Sequence, residues 1–251
     1  MKFSIITCAH NSEKYVHNNI NSIKSQKFKD FEHIFIDGFS KDRTMHIINK
    51  YQKQYPNKVK IFQFPAQGIA DAMNKGIEKA QGQYLIHLHS DDYFDNKEVL
   101  EEVSRFLKKN NNPDWIFGKA IFINTETKKS RVVPHRSIYH KARFWLLLLT
   151  NYINHQTVFI KKEVFQKYGF FDKNLSNNMD YEMWLRLTKN QVKSKFINRI
   201  ICHFTVRPDS QSTIGISGLE DLILIDRLIK NNLLNRILKL IHRINGRRKL
   251  V

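Results

Sequence analysis

The first 95 residues alternate short apolar runs with longer segments whose apolar residues recur at helical spacing. The apolar runs predict four strands, at residues 3–7, 31–37, 59–64 and 84–88. The segments between them predict a helix that starts after residues 11–13 and ends near Lys27, and helices at residues 44–55 and 69–81. Strands that alternate with helices at this spacing form βαβ units, so the pattern predicts an α/β fold with a mostly parallel sheet.

The second half has a less regular pattern. Its apolar spacing predicts strands at residues 115–124, 131–134 and 157–160, and helices at residues 98–110, 179–188 and 219–240. The sequence shows neither an internal repeat nor a long linker. We therefore expect one domain at residues 1–218, followed by a helical C-terminal extension at residues 219–251.

Composition indicates a globular protein with a large excess of positive charge. Of the 251 residues, 41% are hydrophobic and 26% are charged, which excludes a disordered or low-complexity chain. The 42 Lys and Arg residues outnumber the 23 Asp and Glu residues, for a formal net charge of +19. Such a chain is expected to meet an acidic partner, which could be nucleic acid, an anionic membrane surface or a substrate that contains phosphate.

The sequence predicts no secretion signal and no membrane span. Residues 1–11 contain one lysine and only a short apolar run, unlike a signal peptide. The longest apolar run, residues 144–149, is far shorter than the ~20 residues of a spanning helix. Cys8 and Cys202 form neither a disulfide framework nor a zinc motif. We expect a cytoplasmic protein that associates at most peripherally with the inner face of the cell membrane.

Two adjacent carboxylates follow the fourth predicted strand. Ligands of open α/β sheets bind beyond the carboxyl ends of the strands, where Asp91 and Asp92 are expected to lie. Paired carboxylates suit a hard divalent cation, which could neutralise a pyrophosphate leaving group. The alternative is that both residues form a solvated turn or cap the next helix.

Asp180 and Glu182 form a second acidic pair at the start of a predicted helix. Residues two apart on a helix point in different directions, so these carboxylates cannot share one task. A carboxylate that faces a cleft could be a general base for an acceptor hydroxyl. The helix dipole also favours acidic residues here, so the pair alone leaves both interpretations open.

Five segments in a fixed order carry a family resemblance. They are SIITCAHNSEKYV, FEHIFIDGFSKDRT, GIADAMNKGIEKAQGQYLIHLHSDDYF, NHQTVFIKKEVFQKYGFFD and NMDYEMWLRL. Together they span roughly residues 3–190 and resemble the bacterial family 2 glycosyltransferases of surface-polysaccharide and O-antigen assembly. The resemblance implies the GT-A fold, with a nucleotide-binding half at about residues 1–95 and an acceptor-binding half at about residues 96–218.

The resemblance also implies a reaction and its main residues. One sugar would move from a UDP-sugar to a saccharide on a polyprenyl-pyrophosphate or other lipid carrier. Asp37 would accept a hydrogen bond from the base, Asp91 would approach the ribose, and Asp92 would bind Mn²⁺ or Mg²⁺. Asp180 would be the catalytic base of a single displacement that inverts the anomeric configuration.

Further positions are implied around these four. Thr7, Ala9 and Asn11 would lie in the first strand-to-helix loop beside the nucleotide. Asp71 and Lys75 would lie near the sugar and diphosphate. The acceptor-side positions are His155, Gln156, Glu182 and Arg207, although a structural polar pair is an equal alternative for His155 and Gln156, and Arg207 could instead reach the diphosphate.

The sequence departs from the family pattern in two places. Ser90 replaces the first Asp of the family's Asp-x-Asp motif. Residues 203–212, which we interpret as the loop after a late strand, lack the usual Gly-Gly pair, which puts a lid function there in doubt. The Gln-x-x-Arg-Trp signature of processive synthases is missing, which favours the addition of one sugar per acceptor.

The C-terminal extension is basic and amphipathic. From Arg236 onward the sequence contains no acidic residue, and leucines and isoleucines alternate with the cations at helical spacing. Such a helix can lie on an anionic membrane or pack its apolar side on the domain. Residues 143–152, with Trp145 and four leucines, are a second candidate for a membrane- or acceptor-facing surface, or else a buried helix.

Two other function classes compete with a glycosyltransferase. A nucleotidyltransferase is expected to have a Gly-rich phosphate loop after the first strand, but residues 7–11 contain no glycine. The net charge would suit a non-enzymatic nucleic-acid-binding protein, but the sequence has no motif of the usual recognition modules. We therefore expect a metal-dependent transferase and no nucleic-acid partner.

Overall fold

One mixed sheet organises the residues that the computed structural model describes, which are 1–134, 141–207, 217–229 and 235–240. The strands are β1 (Phe3–Ala9), β2 (Phe31–Asp37), β3 (Val59–Gln63), β4 (Tyr84–His87), β5 (Tyr93–Phe94), β6 (Trp115–Asn124), β7 (Ser130–Val133), β8 (Phe159–Lys161) and β9 (Ser194–Val206). The helices are α1 (Val16–Lys24), α2 (Thr44–Gln54), α3 (Ile69–Lys79), α4 (Val99–Lys109), α5 (Phe144–Leu149), α6 (Lys162–Tyr168), α7 (Met179–Lys189) and α8 (Ser217–Leu228). A 3₁₀ helix lies at His155–Thr157, and residues 235–240 are also helical.

The strand order is β3-β2-β1-β4-β8-β6-β9-β5, and β7 pairs with β6 outside this path. The four N-terminal strands are parallel, as the βαβ pattern predicts. β8 is antiparallel to both β4 and β6, whereas β6 and β9 are parallel. The expected α/β fold is therefore confirmed, and each antiparallel pairing involves at least one strand from the half where the sequence pattern is irregular.

Alternating side chains of β1 place helices on both faces of the sheet. Ile6 and Cys8 pack with α3, α5 and α7 on one face. Phe3 and Ile5 point to the other face, where they pack with α1 and α4. Because successive strand residues point to opposite faces, an apolar run such as β1 indicates a strand that is covered on both sides.

Gly76 sets how closely α3 approaches the sheet. A Cβ atom at this position would lie 2.3 Å from Cγ2 of Ile6, which is itself fully buried. Only glycine permits this spacing. The spacing fixes the position of the first turn of α3, where Asp71 lies.

We expect Gly76→Ala to destabilise the fold by about 1–3 kcal/mol, the usual cost of overpacking a well-packed core. Thermal unfolding measures the effect. Glu78→Ala, on the exposed side of the same helix, is the control and is expected to leave the melting temperature nearly unchanged. Equal melting temperatures for the Gly76 variant and the wild-type chain would contradict the close packing of α3 on β1.

Several predicted boundaries are wrong. β1 continues to Ala9, so Thr7 and Ala9 lie in the strand and not in the following loop. Residues 203–206, interpreted as part of a loop, are the end of the long strand β9. The helix predicted at residues 219–240 is interrupted, because α8 ends at Leu228 and Ile229 is not helical. The remainder of the predicted loop, residues 208–212, lies outside the described residues.

The described part of the C-terminal extension packs on the domain. Leu224, Ile225 and Leu238 are buried in the same core cluster as α7. Lys239 pairs with Asp226 at 2.5 Å, and Arg227 pairs with Asp172 at 3.2 Å. The basic residues Arg243, Arg247, Arg248 and Lys249 lie outside the described residues. No helix in the described ranges is both long and apolar enough to cross a membrane.

Helix α5 divides its apolar residues between the core and the surface. Leu147 and Leu148 are fully buried, as a core helix requires. Trp145 is 64% exposed and Leu149 is 41% exposed on the other side of the helix. The helix therefore has a buried face and an exposed apolar face, and a membrane or acceptor contact of the exposed face stays a prediction.

Candidate active site

A pocket of about 330 Å³ opens at the carboxyl ends of β1, β2 and β3. α3 begins at its edge, so the first turn of that helix contributes to the lining. The lining includes Ala9, His10, Asp37, Gly38, Gly68, Asp71 and Lys75. Four of the predicted nucleotide-binding residues therefore share one cavity, in the place where ligands of α/β sheets bind.

Asp37 is a fully buried carboxylate in the wall of this pocket. It accepts hydrogen bonds from the Ser40 backbone N–H and the Gln63 side-chain amide, both at 3.0 Å, and from the Ser40 hydroxyl. A carboxylate has about four lone-pair sites, so one acceptor site is left for a ligand. This geometry is compatible with the predicted contact to a base.

Asn11 and Thr7 have different surroundings from Asp37. Asn11, at φ 49°, is exposed and joins the β1–α1 loop to the β2–α2 loop: its backbone N–H donates to Ser40 and its side-chain oxygen accepts from the Lys41 backbone. Thr7 is fully buried, and its hydroxyl donates to the Leu88 carbonyl at 2.7 Å. The Thr7 side chain therefore supports β4 and does not line the pocket.

Asp71 lies between two ammonium groups. Its carboxylate is 2.6 Å from Lys75 Nζ and 2.7 Å from Lys173 Nζ. Burial alone would raise the pKa of Asp71, but the two lysines outweigh it and hold the pKa below its ordinary value. Lys173 was not singled out from the sequence, because no local signal relates the chain after α6 to the start of α3.

Other parts of the chain contact the segment that follows β4, which carries Asp91 and Asp92. Ser90 donates to the Ser12 hydroxyl at 2.8 Å inside the protein, so the residue that replaces the family's first Asp has a structural partner. Asn19, buried on α1, donates its side-chain amide to the carbonyls of His89 and Asp92 at 2.9 and 3.0 Å. Sequence reasoning missed Asn19, since a lone Asn in a helix predicts no such contact.

Asp92 is 1% exposed and has two protein donors. One carboxylate oxygen accepts from the Thr205 backbone N–H at 3.1 Å, and the other accepts from the Gln156 side-chain amide at 2.9 Å. Burial and the charge of Asp91 raise the pKa of Asp92 well above its ordinary value, against the opposing effects of Thr205, Gln156 and Arg207. A carboxylate in this state lacks a full counter-charge, which a cation would supply.

The end of β9 supplies the remaining contacts of this segment. The Thr205 hydroxyl donates to the Asp91 carbonyl at 2.6 Å, and Arg207 lies 3.0 Å from the Asp91 carboxylate. The Arg207 guanidinium also lies 4.3 Å from the Tyr15 ring centre. Arg207 is therefore beside Asp91, and both its acceptor-side role and the alternative contact with the diphosphate stay predictions.

Asp180 lies in the first turn of α7, next to His155. Its Oδ2 atom is 3.3 Å from His155 Nδ1, and the Asp180 side chain is 13% exposed. His155 immediately precedes Gln156, the partner of Asp92. Two adjacent residues thus join the predicted base to the predicted metal ligand, which gives the His155–Gln156 pair a role that its sequence position alone left open.

Glu182 does not belong to this group. Its carboxylate pairs with Arg186 at 2.7 Å, and Arg186 also donates to the backbone carbonyls of Tyr168 and Phe170. The carboxylate therefore fixes the turn that follows α6. The acceptor-side role of Glu182 stays a prediction, and the structure shows its carboxylate engaged in an ion pair.

α8 holds the segment that precedes Asp180. The Glu220 carboxylate accepts hydrogen bonds from the backbone N–H groups of Ser176, Asn177 and Asn178, at 2.7, 3.0 and 2.9 Å. No local pattern predicts this contact, because Glu220 lies more than 40 residues further along the chain.

The donor set around Asp92 fits a hard divalent cation that completes its coordination from elsewhere. Asp91 and Asp92 offer carboxylate oxygens, and the buried amide oxygen of Gln156 has no hydrogen-bond partner. Among the described residues, no three His, Cys, Asp or Glu side chains converge as a complete metal site. The remaining ligands would be diphosphate oxygens and water, which is typical of Mg²⁺ and chemically similar sites.

Residues 4–169 match the family described as glycosyl transferase family 2. The match covers more than half of the chain, so the chain belongs to this family. It is 26% identical over 254 residues to the poly(ribitol-phosphate) beta-N-acetylglucosaminyltransferase TarS of Staphylococcus aureus, covering 97% of this chain and 42% of TarS. It is 30% identical over 149 residues to a PGL/p-HBAD biosynthesis glycosyltransferase of Mycobacterium bovis, covering 57% of this chain and 58% of that protein. The chain thus spans less than two thirds of the length of these relatives.

Solved structures agree with the fold. TarS residues 1–349 in complex with UDP-GlcNAc match with a TM-score of 0.74 and 21% identity, over 95% of this chain and 70% of that one. GalNAc-T7 with UDP, GalNAc and Mn²⁺ matches with a TM-score of 0.64 and 15% identity, over 90% and 48%. These matches confirm the expected GT-A fold.

Proposed function

We propose that this chain is an inverting, metal-dependent glycosyltransferase that moves one sugar from a UDP-sugar to a saccharide acceptor. The observation that carries the proposal is the His155–Gln156 pair, which contacts Asp180 through one residue and Asp92 through the next. A single displacement at an anomeric carbon requires the catalytic base and the binding site of the charged sugar donor to lie side by side. Family membership supports the same reaction class.

The donor would occupy the edge of the sheet from β3 to β4. The nucleotide base would lie in the pocket beside Asp37. The diphosphate would lie between the two lysines, Lys75 and Lys173, and the Asp91–Arg207 ion pair. A divalent cation held by Asp92, with Asp91 and Gln156, would neutralise charge on the leaving nucleoside diphosphate. TarS, similar in sequence, has been solved with UDP-GlcNAc, which supports an N-acetylhexosamine donor.

Asp180 would take the proton of the acceptor hydroxyl. That oxygen attacks the anomeric carbon from the face opposite the diphosphate; the new glycosidic bond forms as the bond to the diphosphate breaks, and the configuration inverts. His155, with Nδ1 directed at Asp180, would fix the orientation of the carboxylate. Positioned proton transfer of this kind contributes about 10²–10⁴-fold to a rate.

The acceptor is proposed to be a saccharide of a cell-surface polymer, carried on a polyprenyl-pyrophosphate or other lipid. The two relatives, a poly(ribitol-phosphate) beta-N-acetylglucosaminyltransferase and a PGL/p-HBAD biosynthesis glycosyltransferase, support a cell-surface context. The exposed side of α5, with Trp145 and Leu149, supports a contact with an apolar carrier. Peripheral association with the inner face of the membrane, and the division into donor and acceptor halves, are parts of the same proposal.

Calorimetric titration with UDP tests the donor site. We expect UDP to bind in the presence of Mn²⁺, to bind much more weakly with a chelator, and to bind more tightly than GDP. The reason is that the cation offsets the repulsion between the diphosphate and Asp91 and Asp92. Preference for GDP would contradict the donor class, and binding unaffected by the chelator would contradict the metal.

A further inference from the structure

A second concave surface lies between α1 and α2, outside the active site. This α1–α2 groove has a volume of about 610 Å³. Four cations line it: Lys14, Lys24, Arg43 and Lys50. His17 and His46 also line it, and Glu13 is the one acidic side chain of the lining among the described residues.

The cations of the α1–α2 groove differ from the ion-paired lysines of the protein. Lys27, Lys60 and Lys75 pair with carboxylates at 2.6–2.7 Å. None of the four groove cations has a carboxylate partner among the described residues. The Glu13 carboxylate accepts the Arg43 backbone N–H at 2.8 Å and offsets one of the four positive charges. The lining therefore keeps an excess of positive charge.

We propose that the α1–α2 groove binds an extended polymer with repeating phosphate groups. Its length along α2, from Arg43 to Gln54, is about 16 Å at 1.5 Å per residue, which suits several consecutive charges on one flexible chain. The cations line a concave surface, whereas a flat bilayer contacts a flat or convex one. Among the described lining residues, Tyr51 is the only Phe, Tyr or Trp and is buried, and the exposed aromatic rings are the imidazoles of His17 and His46. The groove thus lacks the large exposed aromatic side chains on which nucleic-acid bases stack.

The position of the α1–α2 groove relates it to the donor pocket. Lys14 and Arg43 lie at the ends of the β1–α1 and β2–α2 loops, which Asn11 and Ser40 join beside that pocket. A polymer held here would stay close to the active site without occupying it. The groove thus adds a binding site that the transfer reaction itself does not require.

The test measures binding of a labelled inorganic polyphosphate chain at several salt concentrations. We expect Lys14→Gln/Arg43→Gln/Lys50→Gln to bind at least about tenfold more weakly, with a slope of log K against log salt smaller by about 2, since each lost phosphate contact on a single strand contributes ~0.7. The control is Lys97→Gln/Lys108→Gln/Lys129→Gln, which removes the same charge from exposed lysines outside the groove. UDP binding should be the same in both variants and the wild-type chain.

A loss of polyphosphate binding that is confined to the groove variant, with UDP binding retained, would support the proposal. Equal losses in both triple variants would overturn the proposal in favour of net charge alone. If the groove variant lost binding to phosphatidylglycerol–phosphatidylcholine vesicles but kept polyphosphate binding, the groove would be a membrane contact and the proposal would be overturned. Tighter groove-dependent binding of oligothymidylate than of polyphosphate would overturn it in favour of nucleic acid.

Discussion

Asp180→Asn is expected to bind UDP with Mn²⁺ as tightly as the wild-type chain, but to lose about 10²–10⁴-fold in turnover. The amide has nearly the same shape as the carboxylate but cannot take the acceptor proton. The measurement pairs calorimetry with the rate of UDP release from UDP-GlcNAc, in which water serves as the acceptor. Asp180 and the donor pocket lie on different elements, so binding and turnover should separate.

Glu182→Gln is the matched control on the same helix. It removes the other carboxylate of the first turn of α7, which pairs with Arg186 and not with His155. We expect near-normal turnover with a lower melting temperature, because Arg186 loses its partner. His155→Asn should lower turnover less than Asp180→Asn does. If the Glu182 variant lost turnover and the Asp180 variant stayed active, Glu182 and not Asp180 would be the catalytic base.

Asp92→Asn is expected to abolish metal-supported UDP binding and, without metal, to raise the melting temperature. The wild-type carboxylate is buried beside Asp91, so the neutral amide removes a buried charge that lacks a full partner. A gain of ~1 kcal/mol would appear as about 2–4 °C for a chain of this size. Thermal unfolding with and without Mn²⁺ measures stability, and calorimetry measures UDP binding.

Asp91→Asn separates the two neighbouring carboxylates. Asp91 pairs with Arg207 at 3.0 Å, so its replacement should lower the melting temperature without metal. Opposite effects of the two variants on stability are the expected result. Undiminished Mn²⁺-dependent UDP binding in the Asp92 variant would remove Asp92 as the metal ligand.

The sequence determined the N-terminal half of the fold almost completely. The bounds predicted for β2 are those of the structure, and those predicted for α2 and β3 differ from it by one residue. Buried strands and amphipathic helices alternate there, and both signals are local. The motif order also identified the family, which the match over residues 4–169 confirms.

Only the tertiary structure shows which residues of the candidate site contact one another. Gln156 contacts Asp92 across 64 positions of sequence, and the Thr205 backbone N–H contacts the same carboxylate across 113. Periodicity describes which face of an element is buried, but it does not tell which distant polar groups meet. The sequence therefore predicted β6 but not that β9 pairs with it, and so placed residues 203–206 in a loop.

The same reason applies to the second acidic pair. The family resemblance distinguishes Asp180 from Glu182, but only the structure shows that Asp180 contacts His155 and that Glu182 pairs with Arg186. The sequence by itself determined the class of fold, the family and the acidic residues at the strand ends. The three-dimensional packing decided which of those groups share a site, because each such contact depends on elements that are distant along the chain.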